Sequence, residues 1–531
     1  MTDTLRPTLI SITALARSGA EELAWQLFRS AGFDRVEDDP AVLALRGRLL
    51  KDRALSLSGT ARREAAAQAA DAYAAAARLR PATYPLINAA TLSLIAGARD
   101  TAQQLADDAV ALLDASIGEP DTPYYLEATR AEALLLGGAR DAAEAAFRGA
   151  VALAPRAWED HATTLRQFAT ILTELQLDQS WLDAYRPPHT LHYAGQMRIE
   201  EDAEQIGRID SMLAAENIGF GFGSLAAGAD MLIAERLLAR GAELHITLPT
   251  DRAAFLRRSV EAFGRDAARF DAILSQATTV REIDEEGESS DALMGELADE
   301  LAMGGAVMRA RQLQTRAVQL IISAAPQGVP TAPNSARLAR IWAATGRRQH
   351  VLDTGHMPIG RSRPKREARD RRLAAVIAVS LREPGGDTAG ERMAERLAML
   401  SEPPGLIAPP SWRSDGVMLY FGSAEEAASE AVRLRTVLMA SGPVRIAGDL
   451  GVLRFMPAPF GGGVVALGGA TLRVGRVLDV TSPTAIYFSE HLGAAFAASA
   501  RMDDPARLEL VGELSGTAQD QPLALYALRE R

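Results

Sequence analysis

The sequence has no cysteine. That absence excludes disulfides, thiolate metal ligands and cysteine nucleophiles together. Aromatic residues make up only 5% of the 531 positions, and alanine fills much of the 48% that is hydrophobic, a balance that favours helices over β-sandwiches. Histidine is sparse and scattered (His161, His189, His192, His245, His350, His356, His491). Only His189 and His192 lie close together, and no pair has zinc-site spacing. Positive charge does not dominate: the formal net charge is −11, so no global field draws nucleic acid or anionic membrane, and neither is an expected partner. No stretch approaches the ~20 uncharged apolar residues of a membrane span. The opening MTDTLRPTLISITALARSGAEE has no apolar core after a basic start, so no signal peptide is expected and the cytoplasm is the expected compartment.

What is present is periodic. Residues 1–187 read as helices without a strand signal. AGARDTAQQLADDAVALL from Ala96 and GGARDAAEAAFRGAVALA from Gly137 repeat one pattern 41 residues apart. Each copy has a glycine turn and then a helix with small residues, at Ala102, Ala106 and Ala109 and again at Ala143 and Ala150. Small residues let paired helices approach closely, and Pro81 and Pro155 stop the second helix of a pair. The spacing predicts a tetratricopeptide-like solenoid.

After Arg186-Pro187-Pro188 the texture changes. Apolar runs at Leu191–Met197, Glu243–Pro249, Ala317–Ser323 and Arg348–Asp353 alternate with amphipathic helices. This predicts an α/β domain over 188–357 with a parallel sheet. Between its first and third strands lies NIGFGFGSLAAGAD, Asn217 to Asp230. Gly219, Gly221 and Gly223 alternate, so a strand would leave one face bare for a backbone or a flat ligand. Asp230 is placed either to cap the following helix or to meet a ribose hydroxyl. The loops after Gly195 and Gly223 are expected together at the carboxyl edge of the sheet, giving Gly195, Gln196, Gly221, Gly223, Ser224, Gly228 and Asp230 as candidate ligand-binding residues. The run Glu282–Asp291 reads as an acidic loop, and 358–372, with seven basic residues against two acidic, as a linker. Residues 373–531 alternate strand and helix with hairpin-length loops, which predicts an antiparallel α+β sandwich.

Three resemblances attach to these residues. YAGQM, GFGSLAAGAD, AERLLARGAELHITLP and RARQLQTRAVQLII are similar to the SLOG superfamily of Rossmann-like proteins, which implies binding of a nucleotide-type small molecule. The PGGxGT loop of cytokinin-activating SLOG enzymes is missing, with PQGVPTAPNS in its place. DPAVLALRGRLLKDRA, YPLINAATLSL and RAWEDHATTLRQF resemble the TRAFs-binding tetratricopeptide region, which implies a protein partner on the helical repeats. RRLAAVIAVSL, SDGVMLYFGSAEEA and GGATLRVGRVLDVTSPTAIYFSE resemble class III adenylate/guanylate cyclase domains.

The cyclase resemblance implies two metal-binding aspartates and, from the other subunit of a dimer, an asparagine and an arginine four residues later. Here Ser380 stands at the first aspartate position and Asp415 at the second, with Leu472 at the asparagine position and Arg476 at the arginine. Asp415 and Arg476 are thus the residual catalytic positions, with Asp415 the one candidate metal ligand. The resemblance implies a degenerate domain retained for homodimerisation or for pairing with another cyclase-type domain, with no certain cofactor. Two alternatives stay open. One is an active cyclase using Mg or Mn and an unorthodox ligand such as Asp449 in the GDLG hairpin; the other is a SLOG-type nucleotide-processing enzyme.

Overall fold

The computed structural model describes residues 9–17, 21–115, 121–264, 267–283, 292–325, 328–330, 332–354, 370–381, 389–458, 463–504, 506–515 and 522–529. The chain falls into two compact units, Met1–Pro187 with Gln312–Gln314, and Pro188–Arg311 with Thr315–Arg531.

The first unit is helical: α1 (Leu9–Arg17), α2 (Glu21–Ser30), α3 (Pro40–Ser56), α4 (Gly59–Leu79), α5 (Thr83–Ala96), α6 (Arg99–Asp114), α7 (Pro123–Leu136), α8 (Arg140–Leu153) and α9 (Trp158–Leu175). The 41-residue repeat is physical. Gly97 and Gly138 both take positive φ (92° and 76°) in the turns that enter α6 and α8, a conformation side chains with a Cβ resist. Ala102, Ala106 and Ala109 of α6 are buried, as are Ala143 and Ala150 of α8, so the small residues set how closely the hairpins stack. The first helices of successive hairpins are joined by polar bonds: Thr91 Oγ1 donates to Glu132 Oε1 at 2.7 Å, fully buried, and the half-buried Gln167 Nε2 donates to the same oxygen at 3.0 Å.

The second unit holds two sheets. The first contains β1 (His189–Gly195), β2 (Ile218–Gly223), β3 (Glu243–Leu248), β4 (Thr279–Glu282), β5 (Ala317–Ser323) and β6 (Gln349–Asp353). Its order is β4-β3-β2-β1-β5-β6, every pair parallel. The helices are α10 (Ala203–Ala215), α11 (Ala229–Ala239), α12 (Arg252–Phe255), α13 (Ala267–Gln276), α14 (Ala292–Gln312) and α15 (Pro333–Ala344). Leu191 and Tyr193 of β1 point into the core under α10 and α11, and Ala194 into the core under α14 and α15, the period-two alternation of a sheet covered on both faces. β4 carries no hydrophobic signature because it is a short, largely exposed edge strand. Glu282 ends it, so the expected acidic loop starts one residue later, and 284–291 lie outside the described residues.

The second sheet comprises β7 (Arg371–Ser380), β8 (Leu406–Arg413), β9 (Gly416–Phe421), β10 (Arg445–Pro457), β11 (Val464–Leu467), β12 (Ile486–Ser489), β13 (Arg507–Leu514) and β14 (Leu523–Arg529). Its order is β13-β14-β12-β10-β7-β9-β8, with β11 beside β10. It is mixed, not purely antiparallel, because β10 and β12 run parallel. The helices α16 (Ala389–Ala398), α17 (Ala424–Met439) and α19 (Glu490–Ser499) alternate with its strands, while α18 (Gly469–Val480) covers the opposite face from α17 and α19. Two sequence expectations move here. β7 begins at Arg371, inside the expected linker, because Arg371 pairs with Arg454; residues 358–369 lie outside the described residues. GDLG is no hairpin but the middle of β10, which pairs without a break from Arg445 opposite Ser380 to Arg454 opposite Arg371.

The two sheets share α14. Its Met294, Leu297 and Leu301 enter the core of the second sheet, and its Met303 and Val307 enter that of the first. A helix used on both sides carries apolar residues on two faces. Gly304 lets α14 and α19 touch: a Cβ there would sit 2.0 Å from the Ala494 carbonyl oxygen. Thr190 Oγ1 of β1 donates to the Ala306 carbonyl at 2.8 Å, which fixes the helix from the other side.

Candidate ligand site at the sheet edge

β1 and β5 lie side by side, with β2 to β4 built outward from one and β6 from the other. Open parallel sheets bind ligands outside the carboxyl ends of strands where the order reverses. Gly195 and Ser323 end those two strands. Gln196 ties the edge together. Its N–H donates to the Ile322 carbonyl at 2.9 Å, its carbonyl accepts the Ala229 N–H at 3.0 Å, and its Nε2 donates to Ser323 Oγ at 3.3 Å. Gly228 has φ 79° and ψ −117°, and a Cβ there would lie 2.6 Å from the Gln196 carbonyl oxygen. A Cβ on Gly195 would lie 2.4 Å from that of Ala229. Gly195, Gln196 and Gly228 are therefore brought into contact, while Ser224, half-buried, follows the end of β2.

Beneath this meeting of loops lies Asp230, buried in the first turn of α11. Burial, and then the Asp299 carboxylate, push it up to about 8, against the pull of backbone N–H groups from Ala226 and Gly195. It is mostly a neutral acid at pH 7. Asp230 Oδ1 is buried with no hydrogen-bond partner, and so is the hydroxyl of Tyr193, whose ionisation burial and then Asp230 push well above the usual range. Asp299, on α14, accepts from Asn334 Nδ2 at 2.7 Å and is raised to about 6 by burial. A neutral carboxyl, a phenol and a carboxamide offer donors and acceptors suited to a base or a sugar hydroxyl. Among the described residues no group of three or more histidine, aspartate or glutamate side chains could hold a metal ion.

Two expectations about the glycine strand are corrected. The bare face does not open to a ligand: a Cβ on Gly219 would meet Pro188 at 2.5 Å, on Gly221 Leu237 at 2.4 Å, and on Gly223 the Tyr193 ring at 2.5 Å. Packing alone accounts for Gly221 and Gly223, because helix α11 and the neighbouring strand fill the space. Asp230 is not the helix N-cap either. Gly228 holds that position, and Asp230 Oδ2 accepts the Ala226 N–H at 3.2 Å, which closes the loop behind the helix. Tyr193, Asp299 and Ser323 were not singled out from sequence. Tyr193 lies within YAGQM and was legible as a phenol in an apolar strand, whereas Asp299 and Ser323 reach the edge only through the fold.

In the second sheet the two positions expected to be catalytic, Asp415 and Arg476, have separate partners. Ser380 ends β7 opposite Gly416, and the Leu381 N–H donates to the Asp415 carbonyl at 2.9 Å. Ser380 Oγ donates to Asp415 Oδ2 at 2.8 Å, and Arg413 Nε approaches Asp415 Oδ1 at 3.4 Å. One carboxylate facing a hydroxyl and a guanidinium does not fit a pair of divalent cations, which need several anionic oxygens. Arg476 is on α18 and donates through Nη2 to the Ser515 carbonyl at 2.9 Å, and Leu472 is 72% exposed. Asp449 is fully buried, not presented to this group. Arg473 Nε donates to its Oδ2 at 2.7 Å, and Ser489 Oγ donates to its Oδ1. Burial pushes Asp449 up and Arg473 pulls it back, while burial holds the adjacent His491 well below the ordinary histidine range.

The sequence model of the Tetratricopeptide Repeats-Sensor family matches residues 10–93. No curated protein matches the chain. Among solved structures, similarity extends to the guanylyl cyclase Cya2 (14% identity, 30% of this chain and 92% of that one, TM-score 0.24). It extends equally to the adenylyl cyclase CyaB from P. aeruginosa (14% identity, 30% and 95%, TM-score 0.24). The guanylate cyclase domain of RhGC from Catenaria anguillulae, in complex with GTP, is similar at 12% identity over 30% of this chain and 98% of that one, with TM-score 0.24. The helical N-terminal region is thus tetratricopeptide-like over residues 10–93.

Proposed function

We propose that this chain is a non-enzymatic signalling protein that binds a nucleotide-type ligand at the carboxyl edge of its parallel, SLOG-like sheet. The reading rests on one observation: Asp230 Oδ1 and the Tyr193 hydroxyl lie buried without partners beneath the loops at Gln196 and Gly228. Buried polar atoms in a folded protein are nearly always satisfied, so an unsatisfied pair at a sheet edge marks a place where a ligand completes the bonding. Gly195, Gln196, Ser224, Gly228 and Asp230 line this site, and no cofactor is needed. The helical repeats dock a protein partner. The mixed sheet serves as a cyclase-like pairing module, in a homodimer or with another cyclase-type domain, in the cytoplasm. The replacement of one carboxylate by Ser380, and the engagement of Asp415 by Ser380 and Arg413, support a role without turnover.

Thermal unfolding with a panel of nucleosides and nucleotides tests the proposal. At least one raises the midpoint, and Tyr193→Phe weakens that ligand about tenfold, the cost of one lost hydrogen bond in a buried site. A panel without any shift, or a shift that survives both Tyr193→Phe and Asp230→Leu, overturns ligand binding there. Incubation with ATP, GTP, CTP and UTP plus manganese covers the rest: a cyclic product that vanishes in Asp415→Ala overturns the non-enzymatic reading.

A further inference from the structure

Three arginines lie within electrostatic reach of one another at the other end of the parallel sheet, Arg311 between Arg347 and Arg507. Arg311 occupies the last turn of α14, Arg347 follows the end of α15, and Arg507 opens β13 of the second sheet. Helices of a parallel α/β layer run against the strands, so these helix ends lie at the amino edge, away from Gln196 and Asp230. Met502 N–H donates to the Thr345 carbonyl at 3.3 Å, which fastens the segment before β13 to the end of α15. Arg347 lies over the Trp342 ring, 5.8 Å from its centroid. Arg507 Nη1 donates to the carbonyls of Asp504 and Ala506.

The cluster is unbalanced. Nη1 of Arg311 and Nη1 of Arg347 are each buried with no hydrogen-bond acceptor. Burial, and then the charge of Arg311, lower Arg347 to about 10; burial, and then the charge of Arg507, lower Arg311, with Asp504 opposing. Asp504, the carboxylate that acts on Arg311 among the described residues, already accepts the Ala506 N–H at 2.8 Å through its Oδ1. Guanidinium keeps its proton at any physiological pH, so the repulsion is not relieved by deprotonation. A bound anion would relieve it.

We propose that Arg311, Arg347 and Arg507 form an oxyanion site for the phosphoryl group of a small phosphorylated molecule. Guanidinium forks match tetrahedral oxyanions through paired N–H···O bonds, and the two bare Nη1 groups supply donors already held in place. An anion here touches α14, the end of α15 and the start of β13 at once, so it draws the two sheets together. This inference stands apart from the nucleotide reading, since it concerns the opposite edge of the sheet.

The test is thermal unfolding of the full chain at constant ionic strength in sodium chloride, phosphate or pyrophosphate. Phosphate or pyrophosphate raises the midpoint by about 2–4 °C over chloride. Arg347→Gln and Arg311→Gln abolish that rise yet unfold in chloride at or above the wild-type temperature, because each removes one of three like charges. Arg347→Lys keeps the charge but not the fork, and it loses most of the rise. Equal midpoints in all three salts overturn the site, as does a rise that persists in both glutamine variants. A fall of several degrees for both glutamine variants in chloride also overturns it, since that marks the guanidiniums as structural. ADP separates the two edges: a shift that Arg347→Gln abolishes makes nucleotides the phosphoryl source here, and one that only Tyr193→Phe reduces leaves the arginines to phosphate itself.

Discussion

Asp230, in the first turn of α11, and Asp449, in β10 beside the start of α19, are both buried aspartates. Asp449 is closed: a guanidinium meets one oxygen and a hydroxyl the other. Asp230 is open, with backbone N–H groups on one side, no cation acting on it among the described residues, and a bare Oδ1 within electrostatic reach of the bare Tyr193 phenol. Burial alone would call both of them functional. The partners separate them, because a carboxylate that spends its lone pairs on its own chain has none left for a ligand.

The largest expected effect breaks the closed member. Asp449→Ala leaves Arg473 without its carboxylate in a site only 19% exposed on the arginine side. Stripping one partner from such a pair costs about 3–5 kcal/mol, read by urea unfolding. A loss under about 1 kcal/mol would remove the contrast with Asp230. Arg473→Met with Asp449→Leu should recover most of the loss, because a buried pair exchanged for apolar side chains is close to neutral.

The open member is read through pH. The folded-state value for Asp230, about 8, lies above its ordinary 3.8. At this position the folded protein therefore holds a proton that the unfolded chain has released, and the contribution of Asp230 to stability falls as pH rises from about 4 to about 8. Asp230→Asn removes that slope, so its advantage over wild type grows across the window by more than about 1 kcal/mol. Denaturant unfolding at pH 5 and pH 8 measures it, and parallel curves for the two proteins would show that Asp230 is ionised after all. His192 and His245, held down at about 3 and about 4 by burial, act the other way. Their contribution is lost as pH falls below 6.5, which confines their effect to the acid limb.

These contrasts show what the sequence carried. The 41-residue spacing was legible because the repeat fixes a turn glycine and small buried residues in each copy, and both survive as geometry at Gly97, Gly138, Ala106 and Ala143. Strands with apolar runs, such as Ala317–Ser323, were legible to the residue. β4 was not, being exposed, and neither was the sharing of α14, whose two apolar faces look alike in one dimension. The site was half legible. Gln196 and Gly228 do meet as loops expected at the carboxyl edge, but Gly221 and Gly223 mislead, because a glycine forced by Leu237 or Tyr193 reads the same as one left for a ligand. Asp299, Ser323 and the arginine cluster come from segments far apart in sequence, and only the fold collects them.

A smaller effect tests the pair Ser380 and Asp415 as the remnant of a metal position. Ser380→Asp sets a second carboxylate against Asp415 Oδ2, where the serine hydroxyl now donates. Like charges at that distance, partly screened and partly offset by Arg413, should cost roughly 1 kcal/mol. Manganese should return it, as a rise in the unfolding midpoint that wild type does not show. A wild type stabilised equally by manganese would mean that Asp415 holds a cation without help, and the two sheets would then differ less than their carboxylates suggest.

Leu472→Asn should matter least to the fold. The side chain is 72% exposed on α18 and outside the described cores, so unfolding of the single chain should change by no more than about 0.5 kcal/mol. An exposed leucine has a second reading, because a pairing surface is apolar only until its partner covers it. If α18 faces a second copy, dilution followed by sedimentation should show the asparagine variant dissociating at higher concentration than wild type while its unfolding curve stays put. Coincident dissociation curves would leave the mixed sheet without α18 in any pairing, and an unfolding change above 1 kcal/mol would mean that Leu472 is buried in the folded chain itself.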